Sequence, residues 1–423
     1  MDPITHGIVG ALMGKAFFAG PDVPAAHEGV LGRAKSAPAA RAAIVACTLG
    51  AIFPDIDVFA GPLARNDLAI MQWHRNITHS LVMLPAWTLL LAGVSIPLAY
   101  LARWKRPGYW KLALIYAAAI ASHIVLDTAT SFGTMIWSPV NFERVSWDWL
   151  FIVDLTLTAL ALAPQLAAWC YRDPAQFKVR AALVWGACVA AAFGAYALAG
   201  AVGYPFPRWV VGVATLIAAA LIFVPATEGM GFRWRRASWN RAGFVTACAY
   251  MALAAAAHGN ALAATEEYAA KHHLRVESIA AMPTPPTLTR WEGVIETPEG
   301  VWRTSLREPG GEAVHAEFFA SDSRERYAEQ ARSLRDVQMY LWFARFPVYR
   351  IERREGMTVV SISDVRFFRN NPAEPPKPPE GAANAERSAR ASRERPSPRG
   401  FTFEIEFDSA GRVVRDGFAG LEP

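Results

Sequence analysis

Long apolar runs recur through the first 263 residues of the chain and then stop. Most of them are long enough to cross roughly 30 Å of hydrocarbon as a helix. The predicted segments are 4–20, 41–59, 79–101, 111–131, 149–171, 179–201, 209–226 and 241–263. The first contains Lys15, and Gly7, Gly10 and Gly14 reduce its apolar content, so it either spans or is a re-entrant or interfacial helix. With 53% hydrophobic and 19% charged residues, the chain is predicted to be a polytopic helical membrane protein.

Clusters of arginine and lysine in alternate loops predict the orientation. The basic loops are 103–111, 172–180 and 233–241. Basic loops tend to stay in the cytoplasm, so the loops near 60–78, 132–148 and 202–208, and the chain after residue 263, are predicted to be external. These basic loops also account for the net charge of +5, and no nucleic-acid partner is expected. The sequence thus predicts a bacterial-type inner membrane protein whose C-terminal domain faces the periplasm.

After about residue 287 the chain changes to short runs in which apolar and polar residues alternate. Such runs at 289–297, 357–363 and 401–407 are typical of strands with one buried face, and 323–343 has the pattern of a helix. Residues 370–399, rich in Pro, Ala, Arg and Glu, are predicted to be a disordered insertion. The predicted fold class is mostly α, with a small soluble α+β C-terminal domain. The predicted domains are a helical transmembrane domain at 1–263, a linker at 264–286 and the α+β domain at 287–423.

Seven ionisable residues of the membrane half lie at segment ends that the predicted topology places on one external face. They are His6, Asp55, Asp57, His74, His79, His123 and Asp127. Singly, each is explained as a turn residue, an interfacial histidine or a helix-pairing contact. Together, so many polar groups near hydrocarbon indicate a shared site. Histidine and aspartate without cysteine suit a divalent metal, zinc first and then manganese or iron.

Other residues are candidates for binding substrate and moving a proton. Arg75 and Arg144 lie in external loops, and the planar fork of arginine can donate two hydrogen bonds to a phosphate. The alternative is that both contact lipid headgroups. Asp57 and Asp127 are the candidate general bases.

Four motifs carry a resemblance to a known family. They are Met-Asp-Pro-Ile-Thr-His at 1–6, Phe-Pro-Asp-Ile-Asp at 53–57, His-Arg-Asn-Ile-Thr-His at 74–79 and Ser-His-Ile-Val-Leu-Asp at 122–127. In type and order they resemble the YdjM-like family of membrane-bound metal-dependent hydrolases. The resemblance implies that the seven residues above form a divalent-metal site. It also implies a distant similarity to the zinc phospholipase C and P1 nuclease fold, whose His-x-x-x-Asp pattern occurs here at His123 and Asp127.

These observations predict an integral membrane metal-dependent hydrolase that acts on a lipid-linked phosphoester at the external face. Its expected partner is a membrane lipid or lipid-linked substrate. Two other classes of protein stay open. A secondary transporter would place its ionisable residues near the bilayer midplane, between repeats. A non-catalytic scaffold would hold a structural metal with no open coordination position.

Overall fold

The fold was analysed in a computed structural model that describes residues 1–20, 38–63, 68–201, 206–227, 229–306, 315–354, 356–368 and 401–419. This part of the chain contains twelve α-helices and eight strands. It divides into two compact units. The first is Met1–Asp57 with Arg75–Leu253, and the second is Val58–His74 with Ala254–Pro423. The predicted fold class, mostly α with an α+β C-terminal part, is confirmed.

Ten of the helices in the described residues precede β1 (Ser278–Pro283). In chain order they are α1 (Pro3–Met13), α2 (Pro38–Ile52), α3 (Ala69–Trp73), α4 (Leu84–Leu101), α5 (Tyr109–Thr128), α6 (Leu155–Cys170), α7 (Phe177–Ala201), α8 (Arg208–Thr227), α9 (Met230–Arg233) and α10 (Arg236–Lys271). A π-helical turn, Gly14–Phe18, continues α1, and a 3-10 helix, Phe53–Leu63, follows α2. Helix α3 and the second half of α10 belong to the second unit.

Six helical stretches of the described residues are long and apolar enough to cross a membrane. They are Ala39–Phe59, Leu84–Leu101, Tyr109–Thr128, Pro174–Ala201, Arg208–Thr227 and Arg236–Lys271. Six of the eight predicted segments correspond to these stretches. The other two, 4–20 and 149–171, contain shorter helices, because α1 has 11 residues and α6 has 16.

Helix α6 begins at Leu155, later than the predicted segment, because the preceding residues hydrogen-bond to the end of α5 instead. The backbone N–H of Trp147 donates to the carbonyl of Thr128 at 2.8 Å. The N–H groups of Trp149 and Leu150 both donate to the carbonyl of Ala129. These bonds hold the segment extended, and Asp154 then caps α6 by accepting from the N–H of Leu157 at 2.9 Å. The loop between α5 and α6 therefore lies over the C-terminal end of α5.

Helix α1 packs against α2 through glycines. A Cβ atom at Gly10 would lie 2.6 Å from Cβ of Ala51 and 2.7 Å from the carbonyl oxygen of Cys47. Gly14 approaches the backbone of Ile44 in the same way. Small residues at such positions let two helix backbones come close together. This packing brings the N-terminal half of α1 to the end of α2.

The second unit contains two antiparallel four-stranded sheets. One has the order β1 (Ser278–Pro283), β2 (Trp291–Thr297), β3 (Gly300–Leu306), β4 (His315–Ala320), and the other has the order β5 (Pro347–Arg354), β6 (Met357–Asp364), β7 (Thr402–Phe407), β8 (Val413–Phe418). Helices α11 (Arg326–Arg332) and α12 (Arg335–Phe343) connect the sheets. A buried cluster that includes Met282, Val294, Phe346 and Val348 forms a core between strands of both sheets.

Three sequence expectations for this half can be compared with these elements. The segment 264–286, predicted as a linker, holds the end of α10 and all of β1. The helix continues because Ala, Glu, Tyr and Lys after residue 263 favour it as much as the apolar run before it. The expected helix at 323–343 forms as the separate helices α11 and α12. The predicted insertion 370–399 lies outside the described residues.

Candidate metal centre

Four buried side chains of the first unit bring possible metal-ligand atoms together. Asp55 follows Pro54 in the 3-10 helix after α2, and His79 ends a 3-10 turn, Ile77–His79, before α4. His123 and Asp127 lie four residues apart on α5, so both project from the same face of its last turns. One ligand atom from each of these four residues lies within 4.8 Å of all the others. The cluster can therefore surround a single ion.

The two imidazoles are oriented by hydrogen bonds to their Nδ1 atoms. Nδ1 of His123 lies 2.6 Å from the carbonyl oxygen of Ala51, and Nδ1 of His79 lies 3.1 Å from Oδ2 of Asp57. Because both acceptors require a proton on Nδ1, each neutral ring presents a bare lone pair at Nε2. These two Nε2 atoms are only 2.9 Å apart. Two lone pairs repel each other at this distance unless a cation or a proton lies between them.

Carboxylate oxygens approach the same point. Oδ2 of Asp127 lies 3.1 Å from Nε2 of His79 and 3.3 Å from Nε2 of His123. Oδ1 of Asp55 lies 3.6 and 3.5 Å from the same two nitrogens. Among the described residues, neither Oδ2 of Asp55 nor Oδ2 of Asp127 has a hydrogen-bond partner. Buried carboxylate oxygens need compensation, and a cation would supply it here.

Electrostatics favour positive charge in the cluster. His79 lies before α4, outside the helices that can cross a membrane. Burial alone lowers the pKa of His79, but contacts with Asp127, Asp55 and Asp57 raise it to about 10. When both histidines are neutral, as metal ligands must be, the three carboxylates and the guanidinium of Arg75 leave the side chains with a net charge of −2, which one divalent cation balances. Two imidazole nitrogens and two carboxylate oxygens also form a donor set that suits zinc and its neighbours. The residues present therefore fit a divalent metal.

Three of the seven predicted ligands lie outside this group of four. Nε2 of His6 lies 3.1 Å from Oδ1 of Asp127, and its ring stacks on His123 with centroids 3.6 Å apart. Asp57 supports His79 and also accepts hydrogen bonds from the N–H of Arg75 and from Oγ1 of Thr78. His74 directly follows α3 and belongs to the second unit. His6 and Asp57 therefore contact the clustered residues without belonging to the group of four.

The two arginines predicted to bind substrate contact the same aromatic ring. Their guanidinium carbons lie 4.8 Å (Arg75) and 5.1 Å (Arg144) from the ring centroid of Phe132. Arg75 is 1% exposed, and its Nη2 lies 3.0 Å from Oδ1 of Asp127. Arg144 is half-buried, and its Nη2 donates to the carbonyl of Gly133 at 2.9 Å. Arg75 is therefore bound to the carboxylate cluster itself.

The structure adds three residues that sequence reasoning missed. Thr78 donates to Asp57, Thr130 accepts a hydrogen bond from Arg75, and Phe132 lies beside both arginines. The position of Thr78 directly before His79 in the Ile-Thr-His motif was a usable signal. Thr130 and Phe132 carried no such signal, because their roles depend on a loop that folds back over the end of α5.

The fold and this cluster define a helical membrane protein with a buried His and Asp site that can hold a metal ion. Residues 1–202 match the family model described as YdjM inner membrane protein, which confirms the resemblance seen in the four motifs. The matched region contains all four clustered residues. No match is found among curated proteins or among solved structures. Similarity to the zinc phospholipase C and P1 nuclease fold therefore stays a prediction.

Proposed function

We propose that this protein is an integral membrane metal-dependent hydrolase. The observation that carries the proposal is the pair of Nε2 atoms of His79 and His123, which face each other at 2.9 Å beside two carboxylates. Asp55, His79, His123 and Asp127 would hold the ion, with zinc preferred and manganese or iron as alternatives. A bound divalent cation would supply a Lewis acid that makes water nucleophilic near neutral pH and stabilises charge on a substrate oxygen.

The remaining side chains would orient the ligands and move the proton. Asp57 fixes the ring of His79, since its Oδ2 already accepts bonds from His79, Arg75 and Thr78. Asp127 is wholly buried. Of the carboxylates in the cluster, Asp55 is 7% exposed, and its Oδ2 has no hydrogen-bond partner among the described residues. Asp55 Oδ2 is therefore our preferred proton acceptor, in place of the two bases expected from the sequence.

The proposed substrate is a lipid-linked phosphoester. Its anionic group would bind Arg144, which is half-buried in the loop between α5 and α6, whereas Arg75 is buried and contacts Asp127. The rings of Trp147 and Trp149, with centroids 4.5 Å apart and planes tilted by 31°, belong to the same loop as Arg144. Tryptophan favours the depth of lipid headgroups. An anion carried on a lipid tail matches this combination of arginine and tryptophan.

Sidedness is also a proposal. The basic loops support a cytoplasmic location for residues 103–111, 172–180 and 233–241. On this topology the cluster and the C-terminal domain both face the periplasm, and the substrate would be reached from that side.

A phosphoester assay on the full chain tests the proposed reaction. Metal-loaded protein in detergent should release phosphate or a phosphorylated headgroup from an anionic phospholipid or a polyprenyl phosphate. Asp127→Asn should abolish this release. Arg144→Ala should raise KM while leaving metal content unchanged, and Arg106→Ala, at an exposed position, is the matched control. Robust carboxylesterase or peptidase turnover without phosphoester activity would refute the proposed substrate class.

A further inference from the structure

The two carboxylate oxygens of Asp127 face different surroundings. Oδ2 points to the Nε2 atoms of His79 and His123, where the proposed ion would bind. Oδ1 lies 3.0 Å from Nη2 of Arg75 and 3.1 Å from Nε2 of His6, and the amine of Met1 also contacts it. In two-metal hydrolase sites, the ions are about 3.5–4 Å apart. A carboxylate with one oxygen on each side has the geometry to bridge such a pair.

Arg75 is held on the second side of that carboxylate, the side of Oδ1. Its Nη1 donates to the backbone carbonyl of Asp127 at 3.1 Å and to Oγ1 of Thr130 at 2.9 Å. Its own N–H donates to Asp57 at 2.9 Å, and its carbonyl accepts from Met135 at 3.0 Å. The residue adopts a left-handed backbone conformation with φ of 62° and is 1% exposed. The guanidinium is therefore held in place from both its main chain and its side chain.

We propose that Arg75 replaces a second cation and makes the cluster a one-metal centre. The inference rests on the proposed metal site and specifies how many ions that site takes. Arg75 supplies a permanent positive charge at Oδ1, since guanidinium stays protonated at any relevant pH. A second cation at Oδ1 would meet this charge at close range in a buried environment, where repulsion is strong. Only the side that contains Oδ2 of Asp127 is then open to an ion.

Removing the charge of Arg75 should convert the centre to two metals. Without the guanidinium, Oδ1 of Asp127 and Nε2 of His6 become available together on the second side, where the amine of Met1 remains. An amine releases its proton when it binds a metal ion, so it does not carry a permanent charge as the guanidinium does. Arg75→Lys keeps the positive charge and should keep one ion. Arg75→Gln loses the charge but keeps a polar side chain, so it should behave like Arg75→Ala and provides a second variant if alanine impairs folding.

The experiment loads full-length chelator-stripped protein in detergent with Mn²⁺ and measures bound equivalents by elemental analysis. Wild type, Arg75→Lys and Arg144→Ala should bind one equivalent, and Arg75→Ala and Arg75→Gln should bind two. Arg144 is the matched control because it contacts Phe132 but not Asp127. The electron paramagnetic resonance spectrum adds a signature that a merely structural role would not produce, since two Mn²⁺ ions bridged by a carboxylate show spin–spin coupling.

Two results would overturn the inference while leaving the proposed metal site intact. One is two coupled ions in the wild type, and the other is a single uncoupled ion in both Arg75→Ala and Arg75→Gln. Absence of bound metal from the wild type would contradict the proposed function, and the inference with it. The two failures are therefore distinguishable by the wild-type stoichiometry.

Discussion

At the residue scale, a few short hydrogen bonds determine what the cluster can bind. Each ligand histidine uses Nδ1 for a protein acceptor, which leaves Nε2 for the ion. Supporting partners of this kind set the tautomer and the basicity of metal-ligating histidines. Asp57 is the supporting partner of His79, and the carbonyl of Ala51 is the supporting partner of His123.

The support from Asp57 can be tested by a neutral replacement. Asp57→Asn should weaken metal affinity by about 10- to 100-fold, because an amide holds the imidazole less strongly and removes a negative charge. A competition titration against a coloured chelator would measure the change. Asp173→Asn, in the turn between α6 and α7, is the control and should leave the affinity unchanged. Equal affinity in both variants would show that Asp57 does not support the ligand.

Sequence reasoning reached the cluster because its residues fall in short motifs at segment ends. It identified Asp55, His79, His123 and Asp127, which the structure brings together. It could not separate ligands from supporting residues. The bond between Arg75 and Asp127 joins positions 52 residues apart, and no local pattern encodes such a contact. The sequence therefore predicts Arg75 only as a substrate-binding residue, which stays a prediction.

At the element scale, α1 has a clear structural role, although its sequence is only a weak predictor of a membrane span. Its glycines lower the apolar content of segment 4–20, so hydropathy alone does not decide whether the segment crosses the membrane. In the structure, they are the surface through which α1 packs on α2. Helices α4 and α6 begin later than the apolar segments predicted at 79–101 and 149–171. The residues before each helix form loop hydrogen bonds, which hydropathy does not reveal.

A methyl group at the tightest contact should force the two helices apart. Gly10→Ala should destabilise the protein by about 1–3 kcal/mol, the usual range for overpacking, because the new Cβ would clash with Ala51 and Cys47. The unfolding midpoint in detergent should fall accordingly. Gly93→Ala on α4 meets open space and should leave that midpoint unchanged or raise it. A similar midpoint for both variants would contradict the close packing.

At the scale of the whole molecule, the sequence predicted two kinds of architecture but not where one unit ends. Residues 58–74 belong to the second unit, in which α3 packs against α12. A contact between positions so far apart along the chain has no local signature. The three runs predicted as strands correspond to β2, β6 and β7. The period of two along β7 reflects one buried face, whereas β6 is buried along nearly its whole length.

The proposed topology is also a property of the whole chain. In a background with the four native cysteines replaced by alanine, Arg324→Cys should react with an impermeant thiol reagent in intact cells. Arg106→Cys should not react, because it lies in a basic loop predicted to be cytoplasmic. Both positions are exposed, so folding should not block access. The reverse labelling pattern would place the C-terminal domain in the cytoplasm.

The decisive measurement is the metal content of the purified protein. Wild-type protein should retain about one equivalent of zinc, manganese or iron, because the buried cluster already holds the deprotonated ligands together. His79→Ala, His123→Ala and Asp127→Asn should lose most of this metal. His272→Ala and His315→Ala lie outside the cluster and should retain it. Equal metal content in all five variants, or no metal in the wild type, would contradict the proposed metal centre.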